Sequence, residues 1–165
     1  MNTMSVIISL ALVISFVLLI WFSNYKRNKK IKTRIEMCKR IAAEKGFLLS
    51  EIENIKDVVL GLDRQKNVLF YLNLFNNIDV AVDLNNMKMC KKKDICRNID
   101  IKGVNEKITD RVEIAFYSND INIPKVSVEI FNSENDSYHL HGELQFSDKW
   151  VVIINNHINE LRKPK

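Results

Sequence analysis

Met4 to Phe22 reads MSVIISLALVISFVLLIWF, an apolar run broken only by Ser5, Ser9 and Ser15, and no charged side chain occurs between Met1 and Tyr25. A bilayer core about 30 Å thick is crossed by roughly 20 helical residues, so the run predicts a transmembrane anchor over residues 1–24. A cleaved secretory signal has a basic start, a shorter apolar core and a small-residue cleavage site. Here the run is preceded by MNT and followed by SNYKRNKKIKTRIEMCKR, which have none of these. Trp21, Phe22 and Tyr25 occupy the place of interfacial aromatics.

Charge sets the expected orientation. Lys26, Arg27, Lys29, Lys30, Lys32 and Arg34 crowd behind the run, joined by Lys39 and Arg40. By the positive-inside bias the short N-terminus is expected outside and the remainder in the cytoplasm, as a single-pass membrane protein whose basic segment rests on an anionic leaflet. The overall charge of +5 is unevenly placed: residues 24–45 hold nine Lys/Arg against two Asp/Glu, and residues 46–165 hold sixteen against eighteen. The basicity therefore points to lipid and gives no support for nucleic acid.

Cys38, Cys90 and Cys96 are an odd set without paired spacing. They read as free thiols of a reducing compartment or as small buried apolar groups.

Along the chain, Ile31, Ile35, Cys38 and Ala42 fall on one helical stripe, and Gly46 supplies a stop, so a basic juxtamembrane helix is expected over 25–45. It either continues the apolar helix or breaks near Ser23-Asn24. Its stripe suits docking on the following domain better than a short coiled coil.

From residue 46 to 165 one domain is expected, beginning with seven strands: 47–52, 58–62, 68–74, 78–84, 87–95, 111–118 and 125–131. Strand 68–74 is apolar on both faces and belongs at the centre of a sheet. DRQKN at 63–67 makes a hairpin turn, residues 97–110 read as a polar connection, and Pro124 marks a strand edge. Ser147 is the expected cap of an amphipathic closing helix carrying Trp150, Ile154, Ile158 and Leu161, ended by Pro164.

Candidate chemistry is sparse. His139-Leu140-His141 with Cys90, Cys96 or Asp136 lacks metal-ligand spacing, and His157 lies on a separate helix, so no metal site is assigned. There is no Gly-rich phosphate loop, nucleophile elbow or H-E-x-x-H motif; no cofactor and no catalytic residue are assigned. Lys88, Lys91, Lys92, Lys93 and Arg97, with Lys102, form a second basic cluster that suits an anion or lipid headgroup, or else the solvated edge of a sheet.

The hairpin VVLGLDRQKNVLFYL, the segment INIPKVSVEIF and the terminal KWVVIINNHI, in that order, resemble bacterial pleckstrin-homology-like (PH-like) domains over residues 47–163. The resemblance implies an α+β fold: an antiparallel, strongly bent sheet or partly open barrel, closed by the C-terminal helix bearing Trp150. The first hairpin loop, with Asp63, Arg64 and Lys66 of mixed sign, departs from lipid-binding members. Three functions are in view: a non-enzymatic, membrane-tethered module recognising a protein through a strand edge or the groove beside the last helix; a headgroup or small-ligand sensor; and an accessory subunit of an integral membrane complex. Oligomeric state is not fixed by any of these features.

Overall fold

The computed structural model describes residues 3–101, 104–118, 120, 122–135 and 140–163. The chain begins with one helix, α1 (Thr3–Glu44), without a break at Ser23-Asn24. Seven strands follow: β1 (Glu51–Ile55), β2 (Val58–Asp63), β3 (Val68–Asn73), β4 (Ile78–Asp83), β5 (Met89–Ile101), β6 (Val104–Tyr117) and β7 (Val126–Asn132). The last element is helix α2 (Glu143–Leu161). The strands form two antiparallel sheets in sequential order, β1-β2-β3-β4 and β5-β6-β7. Among the described residues they do not close into a barrel.

Among the described residues no helix is long and apolar enough to cross a membrane. On that finding the expected single-pass anchor, with its outside N-terminus and cytoplasmic domain, is corrected. Downstream, the basic part of α1 is not simply a solvated face. Lys26, Arg27, Lys29, Lys30 and Lys32 are exposed, but Arg34 is half-buried and donates to the Lys56 carbonyl and the Asp57 carboxylate.

The stripe on α1 docks, as its spacing suggests. Cys38 and Ala42 are fully buried against Val59, Phe70 and Leu72 on one face of the first sheet. Gly46, at φ 81°, lets the chain reverse, and the Phe47 amide donates to the Ala42 carbonyl at 2.8 Å. Residues 47–49 are then a packing segment and not a strand: Phe47 and Leu49 cover the same cluster, and pairing begins only at Glu51. Gly61 lies beneath this segment, and a Cβ there would meet the Leu49 Cδ1 at 2.5 Å, so the Leu49 side chain would have to shift.

The opposite face of the first sheet forms the main core. Leu60, Leu62 and Leu69 meet Ile114, Phe116 and Phe131 of the second sheet, with Trp150, Ile154 and Ile158 of α2. Every residue of β2 and β3 is buried, as double-sided cover requires. Each such apolar side chain contributes about 1.5–3 kcal/mol on leaving water.

Two further sequence expectations fail locally. Residues 97–110 are not a loop, since β5 and β6 pair from Met89↔Tyr117 to Ile101↔Val104, with a register shift between Ile95 and Cys96. These residues form a two-stranded ribbon extending past the end of β7, and none of the described side chains in it is buried. Likewise α2 starts four residues before Ser147: Gly142 precedes its first turn, and the buried Ser147 hydroxyl donates to the Glu143 carbonyl at 2.8 Å. Pro164 and His139, together with Asp136 and Lys102, lie outside the described residues.

Candidate functional site

β5 is an outer strand of its sheet, and α2 runs beside it. The apolar stripe of α2 faces the core, which turns the neighbouring stripe Asp148, Val151, Asn155 and Asn159 toward β5. Between them lies a groove of about 660 Å³, bounded on the strand side by Lys88, Met89, Cys90, Lys91 and Lys92.

The groove is fixed at several points. Asn155 treats β5 as a neighbouring strand would: its Oδ1 accepts the Cys90 amide at 2.8 Å and its Nδ2 donates to the Cys90 carbonyl at 2.9 Å. The Cys90 thiol donates to the Val151 carbonyl at 3.7 Å, and burial pushes that thiol up to about 12. At the far end Arg162 donates to the Met87 carbonyl at 2.8 Å. Toward the start of α2, Lys92 pairs with Asp148 at 2.8 Å and with Asp94 at 3.7 Å. The Asp148 hydrogen bond holds the ammonium of Lys92 above its ordinary range, against the opposing pull of burial.

The bonds to Asn155 establish that the Cys90 backbone points away from β6. In an antiparallel ladder this direction alternates, so the amides and carbonyls of Lys92 and Asp94 also point outward along the edge of the sheet. The row of polar backbone beyond Asn155 is of the kind that accepts an added strand.

The predicted basic cluster is only partly gathered here. Lys88, Lys91 and Lys92 line the groove, whereas Lys93 and Arg97 do not. Alternation puts Lys92 on the α2 side of the sheet, and Lys91, Lys93 and Arg97 on the other. Lys91 lies over the Tyr117 ring with its ammonium 5.6 Å from the centroid, and Arg97 pairs with Asp110 at 3.0 Å. These cations do not converge on one point, as a headgroup phosphate would need.

The first hairpin loop is likewise committed to structure. Asp63 accepts amide hydrogens from Leu48, Gln65 and Lys66 at 2.7–2.9 Å, and Arg64 pairs with Glu51 at 2.6 Å and Glu160 at 3.3 Å. Of the histidines, His141 is exposed at the entry to α2, and buried His157 bonds through Nε2 to the Asn67 carboxamide at 3.0 Å. Among the described residues no group of three or more His, Cys, Asp or Glu side chains is placed to hold a metal ion. Cys38, Cys90 and Cys96 are free.

Sequence reasoning located the lysines but missed Asn155 and Asp148. Their signal was present in the spacing 148, 151, 155, 159, a second helical stripe alongside the apolar one. What lay beyond the sequence was that this stripe faces an unpaired strand. Comparison of the chain with known protein families, characterised proteins and solved structures finds no match.

Proposed function

We propose that this chain is a non-enzymatic recognition module that takes an extended segment of a protein partner along the edge of β5, in the groove against α2. The observation carrying this reading is the outward-facing backbone at Lys92 and Asp94, next to a groove of about 660 Å³ whose helical wall already makes strand-like bonds at Cys90. Backbone pairing supplies affinity in this mode, and side-chain pockets supply selection. A PH-like architecture is the fold reading that goes with it, supported by the sequential sheets of four and three strands and the terminal helix.

The headgroup-sensor alternative has less support, because the basic side chains divide between two faces of the sheet and Arg97 and Lys92 are already paired. Hydrogen exchange on the full chain, mixed with a library of unstructured peptides, tests the proposal. Binding peptides should slow exchange at the Lys92 and Asp94 amides. Protection appearing only elsewhere, or no binding across the library, would refute it.

A further inference from the structure

We infer that the segment accepted at β5 is acidic at alternate positions, an inference that rests on the strand-addition reading above. One row of β5 side chains, on the face away from α2, runs Met89, Lys91, Lys93, Ile95, Arg97. A strand pairing with the Lys92 backbone brings its flanking residues opposite Lys91 and Lys93, with Cβ atoms about 5 Å away. Glu113 faces Lys93 from β6, and its carboxylate is held by Arg111 at 3.2 Å. The Lys91 ammonium lies over the Tyr117 ring at 5.6 Å, and among the described residues no ion pair is formed by it, so a carboxylate can approach from the open side.

The residue between the two acids has different surroundings. It points to the groove, where Val151 offers apolar surface and the Asp148 carboxylate is already occupied by Lys92. The recognised pattern is therefore acidic, apolar, acidic. Asn155 holds Cys90, which sets the register by making Lys92 the first backbone pair open to the incoming strand.

Three labelled peptides that differ only in a central Glu-Val-Glu-Val-Glu, Gln-Val-Gln-Val-Gln or Lys-Val-Lys-Val-Lys distinguish the possibilities by anisotropy against the full chain. The Glu peptide should bind roughly tenfold more tightly than the Gln peptide at low salt, and the gap should narrow as salt screens the exposed charges. In the Lys91→Glu/Lys93→Glu protein the order should reverse in favour of the Lys peptide. Equal binding of the Glu and Gln peptides, or an order unchanged by charge reversal, overturns the acidic preference while leaving strand addition standing. Failure of all three to bind overturns both.

Discussion

Lys56, at a left-handed corner between β1 and β2 with φ 44°, places its ammonium 2.5 Å from the carboxylate of Glu143, which is wholly buried in the first turn of α2. The same ammonium lies 5.3 Å from the centre of the Phe131 ring, and the Lys56 carbonyl accepts a hydrogen bond from Arg34 of α1. One turn thus joins the first helix, the first sheet and the last helix. Truncation of Lys56 leaves a buried carboxylate without its cation, so Lys56→Met is expected to cost about 3–5 kcal/mol in denaturant unfolding. Adding Glu143→Gln should recover a large part of that loss. If the double variant is no more stable than the single one, the pair is not what holds the corner.

Asp63 gives the fold an acid-sensitive joint. Burial pushes its carboxyl up, but the amides of Lys66, Leu48 and Gln65, with the charge of Lys66, outweigh this and hold it below the ordinary value. A carboxyl lower in the folded than in the unfolded chain stabilises above the unfolded value, and that contribution is lost as pH falls through the folded one. Stability of the native chain should fall from about pH 5 downward more steeply than that of Asp63→Asn, which should itself lose about 1–3 kcal/mol at pH 7. Parallel acid profiles for the two proteins would remove Asp63 from this role.

The packing of Leu49 over Gly61 predicts an overpacking defect. An added Cβ at 2.5 Å from the Leu49 Cδ1 forces the Leu49 side chain to shift, and that side chain packs on the cluster beneath α1. Gly61→Ala should destabilise by about 1–3 kcal/mol, and the Leu49→Ala background should relieve most of it. Additive losses from the two changes would contradict the contact.

The elements legible in the sequence were those with an uninterrupted period. Strand 68–74, apolar on both faces, announced its central place, and the stripe Ile31, Ile35, Cys38, Ala42 announced a docked helix face. The β5–β6 ribbon was hidden because water lies on both its sides, which removes the apolar alternation that marks a half-buried strand. The start of α2 was hidden because Ser147, a good capping residue by type, spends its hydroxyl on the carbonyl four residues back. Arg34 looked like one more surface cation in a basic run; only the fold brings Lys56 and Asp57 to it. The candidate site depends on an unpaired edge, and edges are properties of sheet order that local pattern does not contain.

Thiol reactivity should separate the three cysteines. Cys38 and Cys90 are buried, and burial holds both thiols up to about 12, so little thiolate forms at pH 8. Cys96 is partly exposed on the ribbon, 3.7 Å from the Thr109 hydroxyl. A disulfide reagent should modify one thiol per chain quickly in native protein and the other two only on unfolding. Rapid native labelling retained in Cys96→Ser would place reactivity elsewhere and oppose the packing described for α1 and α2.

Asn155 supplies the sharpest test of how the groove is built. Its carboxamide satisfies both the amide and the carbonyl of Cys90, as the backbone of a paired strand would. Asn155→Ala removes both bonds while the core-facing stripe of Trp150, Ile154 and Ile158 is untouched. The expected result is a loss of about 1–2 kcal/mol, with faster hydrogen exchange at the Cys90 amide and little change at Phe116 on the neighbouring strand. Asn155→Asp keeps an acceptor for the amide but gives up the donor to the carbonyl, so it should retain more protection at Cys90 than the alanine variant does. The freed backbone in Asn155→Ala also lengthens the open edge by one residue pair, and the variant should self-associate more readily at high concentration. Unchanged exchange at Cys90 in Asn155→Ala would show that α2 does not guard this edge, and the register argued for an incoming strand would fall with it.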